Sequence, residues 1–309
     1  MALANDDEQI AEERPPVGAK TALVTIIGRP SAGKSTFLNT ASGEEIAIVS
    51  SYPQTTRNAI KGIVNTSLGQ LVFVDTPGYH DSEKKMNLRM KALVTDRLAD
   101  ADCILYVVDS TRAYGEEEKA IAALLKPHAK KVVVAINKTD DAHAKPQDTR
   151  QFVQEALPDA YKIVPMSAKD DSGVDDVLRA LFDLAPEGPH LYDEEFYTDQ
   201  EVDFRIAEVI REQAMIRVSQ EIPHAIYVKI ADMEMRSPNE MWVRAFLCVE
   251  RESQKGILIG KGASLIKTIR LESNKKLRRI FPYRIDLDLQ VKVDKNWRQK
   301  DSRLDKLIT

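Results

Sequence analysis

The chain has 309 residues, 43% hydrophobic and 30% charged, with a net charge of -4 at pH 7. That length suits two domains better than one, and the composition allows a sizeable core in a soluble chain. It excludes a membrane span, because no apolar run approaches 18 residues. It also excludes a secretory signal, because the start carries Asp6, Asp7, Glu8, Glu12 and Glu13. Residues 1–19 read as a flexible acidic tail. Cys103 and Cys248 lie in apolar runs and read as buried, reduced thiols. The five histidines show no ligand spacing, so no structural metal is assigned. From Arg251 to Thr309 there are 16 Lys/Arg against 7 Asp/Glu, a balance of +9, which leaves -13 on the rest. A basic segment on an acidic chain points to a polyanion partner for that segment alone.

The first apolar run, Thr21–Ile27, leads into Gly28-Arg29-Pro30-Ser31-Ala32-Gly33-Lys34-Ser35, which fits GxxxxGK[ST], and then into a helix opened by Ser35 and Thr36. Strand, loop and helix in this order turn backbone N–H groups of Gly28, Ser31, Ala32 and Gly33 around a phosphate. Lys34 is placed to bridge β- and γ-phosphates and Ser35 Oγ to hold Mg²⁺. The loop Gln54-Thr55-Thr56-Arg57 follows. A threonine there supplies a second protein oxygen to the metal when triphosphate is bound, and Thr56 is preferred to Thr55. Ala59–Val64 reads as an edge strand. The run Leu71–Val74 ends in Asp75-Thr76-Pro77-Gly78, 41 residues after Lys34. Asp75 fits a carboxylate holding Mg²⁺ through water, and Gly78 a backbone donor to the γ-phosphate.

Further along, helical periodicity over Asn87–Leu98 and Glu116–Leu125 alternates with the runs Cys103–Val108 and Val132–Ile136. Asn137-Lys138-Thr139-Asp140 follows the second of these. Asp140 can accept from both N1–H and the exocyclic amine of guanine, whereas adenine leaves that carboxylate unpaired at a cost of about 1–3 kcal/mol or more. The stem of Lys138 can lie over the base. The run Ile163–Met166 precedes Ser167-Ala168-Lys169, 30 residues after Asn137, with Ala168 N–H expected near guanine O6. A helix over Val174–Leu184 closes the unit. Alternating strands and helices predict an α/β domain with a doubly wound, mostly parallel sheet, whose strand ends carry the ligand.

Ala185–Thr198 holds two prolines, a glycine and several acids and reads as the linker, which gives bounds of 20–185, 186–198 and 199–309. Beyond it come a helix over Glu201–Gln220, strand candidates at His224–Ala231 and Met241–Val249, a glycine turn, basic helices and a strand at Ile285–Val293. These predict a smaller α+β domain.

The string GRPSAGKSTFLN, QTTR, DTPG, NKTD, SAK resembles the TRAFAC class of GTPases and, within it, the Era and EngA-like branch. The segment from Gly256 to Lys267 resembles the hydrophobic-strand, GxxG, helix core of a KH domain. With the linker and the ending VKVDKNWRQKD, the chain resembles the Era-type GTPases from about Lys20 onward. The resemblance implies a monomeric, cytoplasmic P-loop GTPase that uses GTP/GDP and Mg²⁺. Lys34, Thr56 and Gly78 would serve catalysis. It implies binding near the 3′ end of small-subunit ribosomal RNA through Gly256, Gly260, Lys261, Gly262, Ala263, Lys267 and Arg270, a part in maturing that subunit, and loose contact with the inner face of the membrane. Lys275, Lys276, Arg278 and Arg279 add phosphate-neutralising charge.

Three departures from the pattern bear on rate and geometry. Ala263 stands at the second GxxG glycine. Ser31 stands where many relatives have Asn, a residue linked to potassium-assisted hydrolysis. Tyr79 follows DTPG where Ras-like enzymes place a water-orienting Gln, so intrinsic turnover is expected to be slow. No arginine finger is evident in cis, and Arg57 stays open for that role. The rival readings are an RNA-binding assembly factor with a structural nucleotide, a GTPase of tRNA modification, and an ATP-dependent P-loop enzyme. Tyr79 and Ser31 favour the first, the KH-like turn opposes the second and Asp140 the third.

Overall fold

A computed structural model describes residues 18–49, 57–78, 85–219 and 222–307. The first sheet has six strands in the order β2-β3-β1-β4-β5-β6. They are β1 (Lys20–Ile27), β2 (Ile60–Thr66), β3 (Gly69–Asp75), β4 (Cys103–Asp109), β5 (Val132–Asn137) and β6 (Lys162–Pro165). All pairings are parallel except β2 with β3, and β2 lies at the edge, as expected.

Both faces of this sheet are covered, which is why its central strands are apolar throughout. In β4, Cys103, Leu105 and Val107 face one core. That core also takes Phe37 and Leu38 of α1 (Lys34–Ser42) and Val177 and Leu181 of α5 (Val174–Leu184). Ile104, Tyr106 and Val108 face the other core, with Leu98 of α2 (Lys85–Asp100), Ile121 of α3 (Glu116–Leu125) and Val153 of α4 (Pro146–Ala156). Helix α4 has no counterpart among the expected elements. Only Thr149 and Val153 of it are buried, too few to make a period visible. Cys103 and Cys248 are free and buried.

The segment after α5 is strapped to the edge of the first sheet. Ile63 N donates to Tyr197 O at 2.9 Å and Thr198 Oγ1 to Lys61 O at 2.7 Å. Gln70 Oε1 accepts from the N–H groups of Leu191 and Tyr192 at 2.8 and 3.0 Å. The edge strand β2 would otherwise present unpaired backbone groups.

The second unit packs α6 (Val202–Met215), α8 (Glu252–Ile259) and α9 (Ser264–Ile280) on the three-stranded sheet β7-β8-β9. Its strands are β7 (Tyr227–Ser237), β8 (Glu240–Val249) and β9 (Arg284–Val293), antiparallel then parallel. A short helix α7 (Ile222–Ala225) precedes β7, and α10 (Asp301–Leu307) ends the described chain. Three expectations need correction. The helix expected to Gln220 ends at Met215, and Gln220 itself lies outside the described residues. The strand expected from His224 begins at Tyr227, because His224 belongs to α7. The run Gly256–Ile259, expected as a strand, is the last half of helix α8. Gln254 Oε1 accepts the backbone N–H groups of both Glu250 and Arg251 at 3.0 Å, and this cap starts a helix that overrides the β-preference of its isoleucines.

Candidate functional site

The motifs of the first domain meet at the carboxyl ends of β1, β3, β5 and β6. The turn Gly28–Gly33 joins β1 to α1. Gly33 has φ 98°, and a Cβ there would come within 2.2 Å of Asn137 Nδ2, so only glycine fits this approach. Ser31 also takes a positive φ, 62°, a conformation Asn tolerates better than Ser.

Lys34 is 6% exposed, and its ammonium donates to Gly28 O at 3.2 Å and Arg29 O at 3.1 Å. Burial pulls its pKa down, and the carboxylates of Asp75 and Glu118 oppose that. Ser35 Oγ donates to Asp75 Oδ2 at 2.6 Å, which brings together two of the three expected metal ligands. A hydroxyl and a buried carboxylate beside a phosphate cradle suit a hard cation that completes its shell with phosphate and water oxygens, as Mg²⁺ does. Thr76 Oγ1 donates to Ile26 O at 2.6 Å, pinning the end of β3 to β1. Pro77 and Gly78 follow, and Gly78 lies against Pro30 of the cradle. Thr36 follows Ser35 on α1. Thr55, Thr56 and Tyr79 lie outside the described residues.

The base-side residues form one hydrogen-bonded group. Asn137 Nδ2 donates to Ala32 O at 2.8 Å, and Asn137 Oδ1 accepts Ala168 N–H at 3.0 Å. One amide therefore ties the cradle to the Ser167-Ala168-Lys169 loop. It also takes the Ala168 N–H that was expected to face guanine O6. Ser167 Oγ donates to Asp140 Oδ1 at 2.7 Å, and Lys169 Nζ lies 3.7 Å from Asp140 Oδ2. Lys138 Nζ reaches across to Asp109 Oδ2 at 2.6 Å. Sequence reasoning missed Asp109. It also missed Arg29, whose Nε donates to Glu117 Oε2 at 2.8 Å and so anchors the cradle to α3.

Arg57, left open as a finger, does not face the phosphate cradle in this structure. Its side chain is 5% exposed and points into the second domain, where Nη1 donates to Ile226 O at 2.7 Å.

In the second domain Gly260, Lys261, Gly262 and Ala263 form the turn between α8 and α9. Gly260 takes φ 73° and ψ 168°, outside the range of ordinary side chains. Lys261, Lys267 and Arg270 are exposed beside it, as are Arg278 and Arg279. Gly256 sits within α8 and not in the turn. Lys276 is not available to phosphate, because Glu45 and Glu212 hold it at 2.9 and 2.8 Å. Ile257 and Leu271, 52% and 55% exposed on α8 and α9, give this surface an apolar part that periodicity did not flag. Ala263 has φ 60° and ψ 28°, the left-handed region, which costs an L-residue about 1–2 kcal/mol. Ala263→Gly is therefore expected to stabilise the chain by about 1 kcal/mol, after the entropy glycine loses on folding. A thermal unfolding scan checks this, and a lowered midpoint would contradict the turn geometry.

The comparisons with known proteins agree with this arrangement. Residues 23–138 match the family described as 50S ribosome-binding GTPase, and residues 221–298 match the KH domain. GTPase Era of Treponema denticola is 55% identical over 288 residues, 92% of this chain and 98% of that one. GTPase Era of Borreliella burgdorferi is 39% identical over 289 residues, 94% and 99% of the two chains. A point variant of Aquifex aeolicus Era, solved with GDP·AlF4⁻, superposes with a TM-score of 0.88 at 30% identity, covering 93% of this chain and 98% of that one. Era solved with MgGDPNP and nucleotides 1506–1542 of 16S ribosomal RNA superposes at 0.89 and 30% identity, covering 94% and 98%. Among the described residues no helix is long and apolar enough to cross a membrane. With the phosphate cradle, the Asp140 pocket and the KH turn all in place on one chain, and with relatives matched along nearly their whole length, the chain belongs to the Era family of GTPases, which bind GTP and hydrolyse it to GDP and phosphate.

Proposed function

We propose that this GTPase binds the 3′ end of small-subunit ribosomal RNA through its KH domain and acts in assembling and maturing that subunit. The observation that carries the reading is the whole-chain likeness to Era solved with nucleotides 1506–1542 of 16S ribosomal RNA. The turn Gly260–Ala263 supports it. A glycine-bearing turn at the start of α9 lets an RNA backbone approach its N–H groups, and Lys261, Lys267 and Arg270 neutralise phosphates beside it. In the same reading Ser35, Asp75 and Thr56 hold Mg²⁺. Bound there, the metal would neutralise charge that develops on the phosphates during hydrolysis. Lys34 and the N–H groups of the cradle hold the phosphates, Gly78 N–H faces the γ-phosphate, and Asp140 with Asn137, Lys138 and the Ser167–Lys169 loop selects guanine. Intrinsic turnover is slow because Tyr79 has no amide to orient water. The reading places a monomer in the cytoplasm, with loose contact to the inner face of the membrane carried by the resemblance alone.

Binding of a single-stranded RNA of the small-subunit 3′ end to the full chain tests the RNA half. The affinity should fall with salt at a log–log slope of about -0.7 per phosphate neutralised. Lys261→Ala with Lys267→Ala should flatten the slope by roughly 1 to 2 units if each contacts a phosphate. Gly260→Asp should weaken binding at every salt concentration, because it puts a side chain and a negative charge where the backbone approaches. Equal affinity for duplex DNA would show a mere polyanion patch and overturn the KH reading.

A further inference from the structure

The turn that carries Ser167, Ala168 and Lys169 is closed by its own ends. Ser167 N donates to Ser172 O at 2.8 Å and Ser172 N to Ser167 O at 3.0 Å. Inside it, the Ser167 hydroxyl is committed to Asp140 and also accepts Asp170 N–H at 3.1 Å. Ala168, 1% exposed, gives its N–H to Asn137. These ties run within the turn or to the Asn137–Asp140 motif.

One further tie comes from elsewhere in the chain. Thr40 Oγ1, on α1 and 128 positions before Ala168, donates to Ala168 O at 2.7 Å. A threonine inside a helix can turn its hydroxyl back to a carbonyl one turn earlier. Thr149 on α4 and Thr268 on α9 do so, donating to Lys145 O at 2.9 Å and Ser264 O at 3.0 Å. The hydroxyl of Thr40 leaves its own helix instead. Helix α1 therefore carries Lys34 and Ser35 at its start and holds the base-side turn near its end.

The bond fixes a particular peptide. No peptide is cis among the described residues, and in a trans peptide the carbonyl and the following N–H point opposite ways. With Ala168 O drawn toward α1, Lys169 N–H points away from that helix. It makes no hydrogen bond among the described residues. The ammonium of the same residue lies 3.7 Å from Asp140 Oδ2, so the open donor belongs to a residue that borders the Asp140 carboxylate.

We propose that Thr40 is a positioning residue for base selection: its bond to Ala168 O aims Lys169 N–H at the oxygen on C6 of guanine. This rests on the reading of Asp140 and the Ser167–Lys169 loop as the guanine pocket. It adds a residue outside the nucleotide motifs that sets how sharply C6 is read.

The test compares three nucleotides on the full chain. GTP is set against 6-thio-GTP, which carries sulfur, a weak acceptor, in place of that oxygen. It is also set against inosine triphosphate, which keeps the oxygen and lacks the 2-amine. The parent chain should prefer GTP to 6-thio-GTP by roughly three- to tenfold, the range of one hydrogen bond. Thr40→Val keeps the shape and removes the donor. It should bring that ratio close to one and leave the preference for GTP over inosine triphosphate standing. Thr40→Ser keeps the hydroxyl and should restore the ratio. Thr40→Ala removes the hydroxyl with a better helix former, which covers the case in which the Val variant does not fold. A residue that is only structural would lower the unfolding temperature, or weaken all three nucleotides alike, and leave both ratios where they were. That result would overturn the proposal, as would a parent chain that does not distinguish GTP from 6-thio-GTP. A parent chain that binds GTP and inosine triphosphate equally shows instead that the Asp140 pocket reading has failed, and the role of Thr40 fails with it.

Discussion

Replacing Lys34 with Ala is expected to lower GTP affinity by two to three orders of magnitude and to leave the fold standing. The ammonium is nearly buried, and in this structure it rests on the carbonyls of Gly28 and Arg29. In the proposed phosphate site it would exchange those neutral acceptors for phosphate oxygens of GTP. Truncating one partner of a buried, hydrogen-bonded charge pair costs about 2–5 kcal/mol. The folded chain loses far less. Two bonds to carbonyls disappear, but so does the burial that pulls the Lys34 pKa down. Filter binding with GTP and a thermal scan of the nucleotide-free chain separate the two effects. Loss of the unfolding transition would make Lys34 a structural lysine and remove it from the phosphate site.

The phosphate and base motifs were legible because chemistry fixes both the residue type and its place at a strand end. Ser35 and Asp75 are 40 positions apart, yet 2.6 Å separates their oxygens. The parallel pairing of β1 with β3 brings them there. The central strands β1, β3, β4 and β5 were legible for a similar reason. Burial on both faces turns a strand into a continuous apolar run, bounded by the loops that carry the motifs.

What escaped the sequence depends on contacts between distant segments. The isoleucines of Gly256–Ile259 favour a strand, and only the Gln254 cap and the packing of Leu258 in the second core make the segment helical. Lys276 reads as one of a row of basic residues on α9, but Glu45 lies more than two hundred positions away and holds it. Arg57 follows a nucleotide motif, and nothing near it in sequence points to a seat beneath the second domain. The left-handed backbone at Ala263 is a turn requirement that an alanine conceals, since glycine is the residue that would have announced it.

Asp140→Asn has the second large effect. In the proposed guanine pocket Asp140 would accept two donors of the base, and Ser167 Oγ donates to its Oδ1 at 2.7 Å and fixes its plane. Asparagine keeps the shape but presents an NH₂ group to the guanine amine, so the bidentate pair is lost and one donor faces another. Leaving a buried polar group unpaired costs about 1–3 kcal/mol, and more where the pair was charge-assisted, so GTP affinity should fall roughly a hundredfold. Xanthine carries an oxygen at C2, which accepts from that NH₂, so xanthosine triphosphate should gain what GTP loses. The ties from Asn137 to Ala32 and Ala168 do not involve Asp140 and should hold the phosphate cradle unchanged.

Single-turnover hydrolysis by the two chains with Mg²⁺ then tests the central assignment, a guanine-specific triphosphatase with one site for base and phosphate. The parent chain should cleave GTP and leave ATP and xanthosine triphosphate intact at matched concentrations. Asp140→Asn should cleave xanthosine triphosphate at close to the parental GTP rate and lose activity on GTP. Cleavage of GTP and ATP alike by the parent chain, or a variant whose preference does not move, would contradict it.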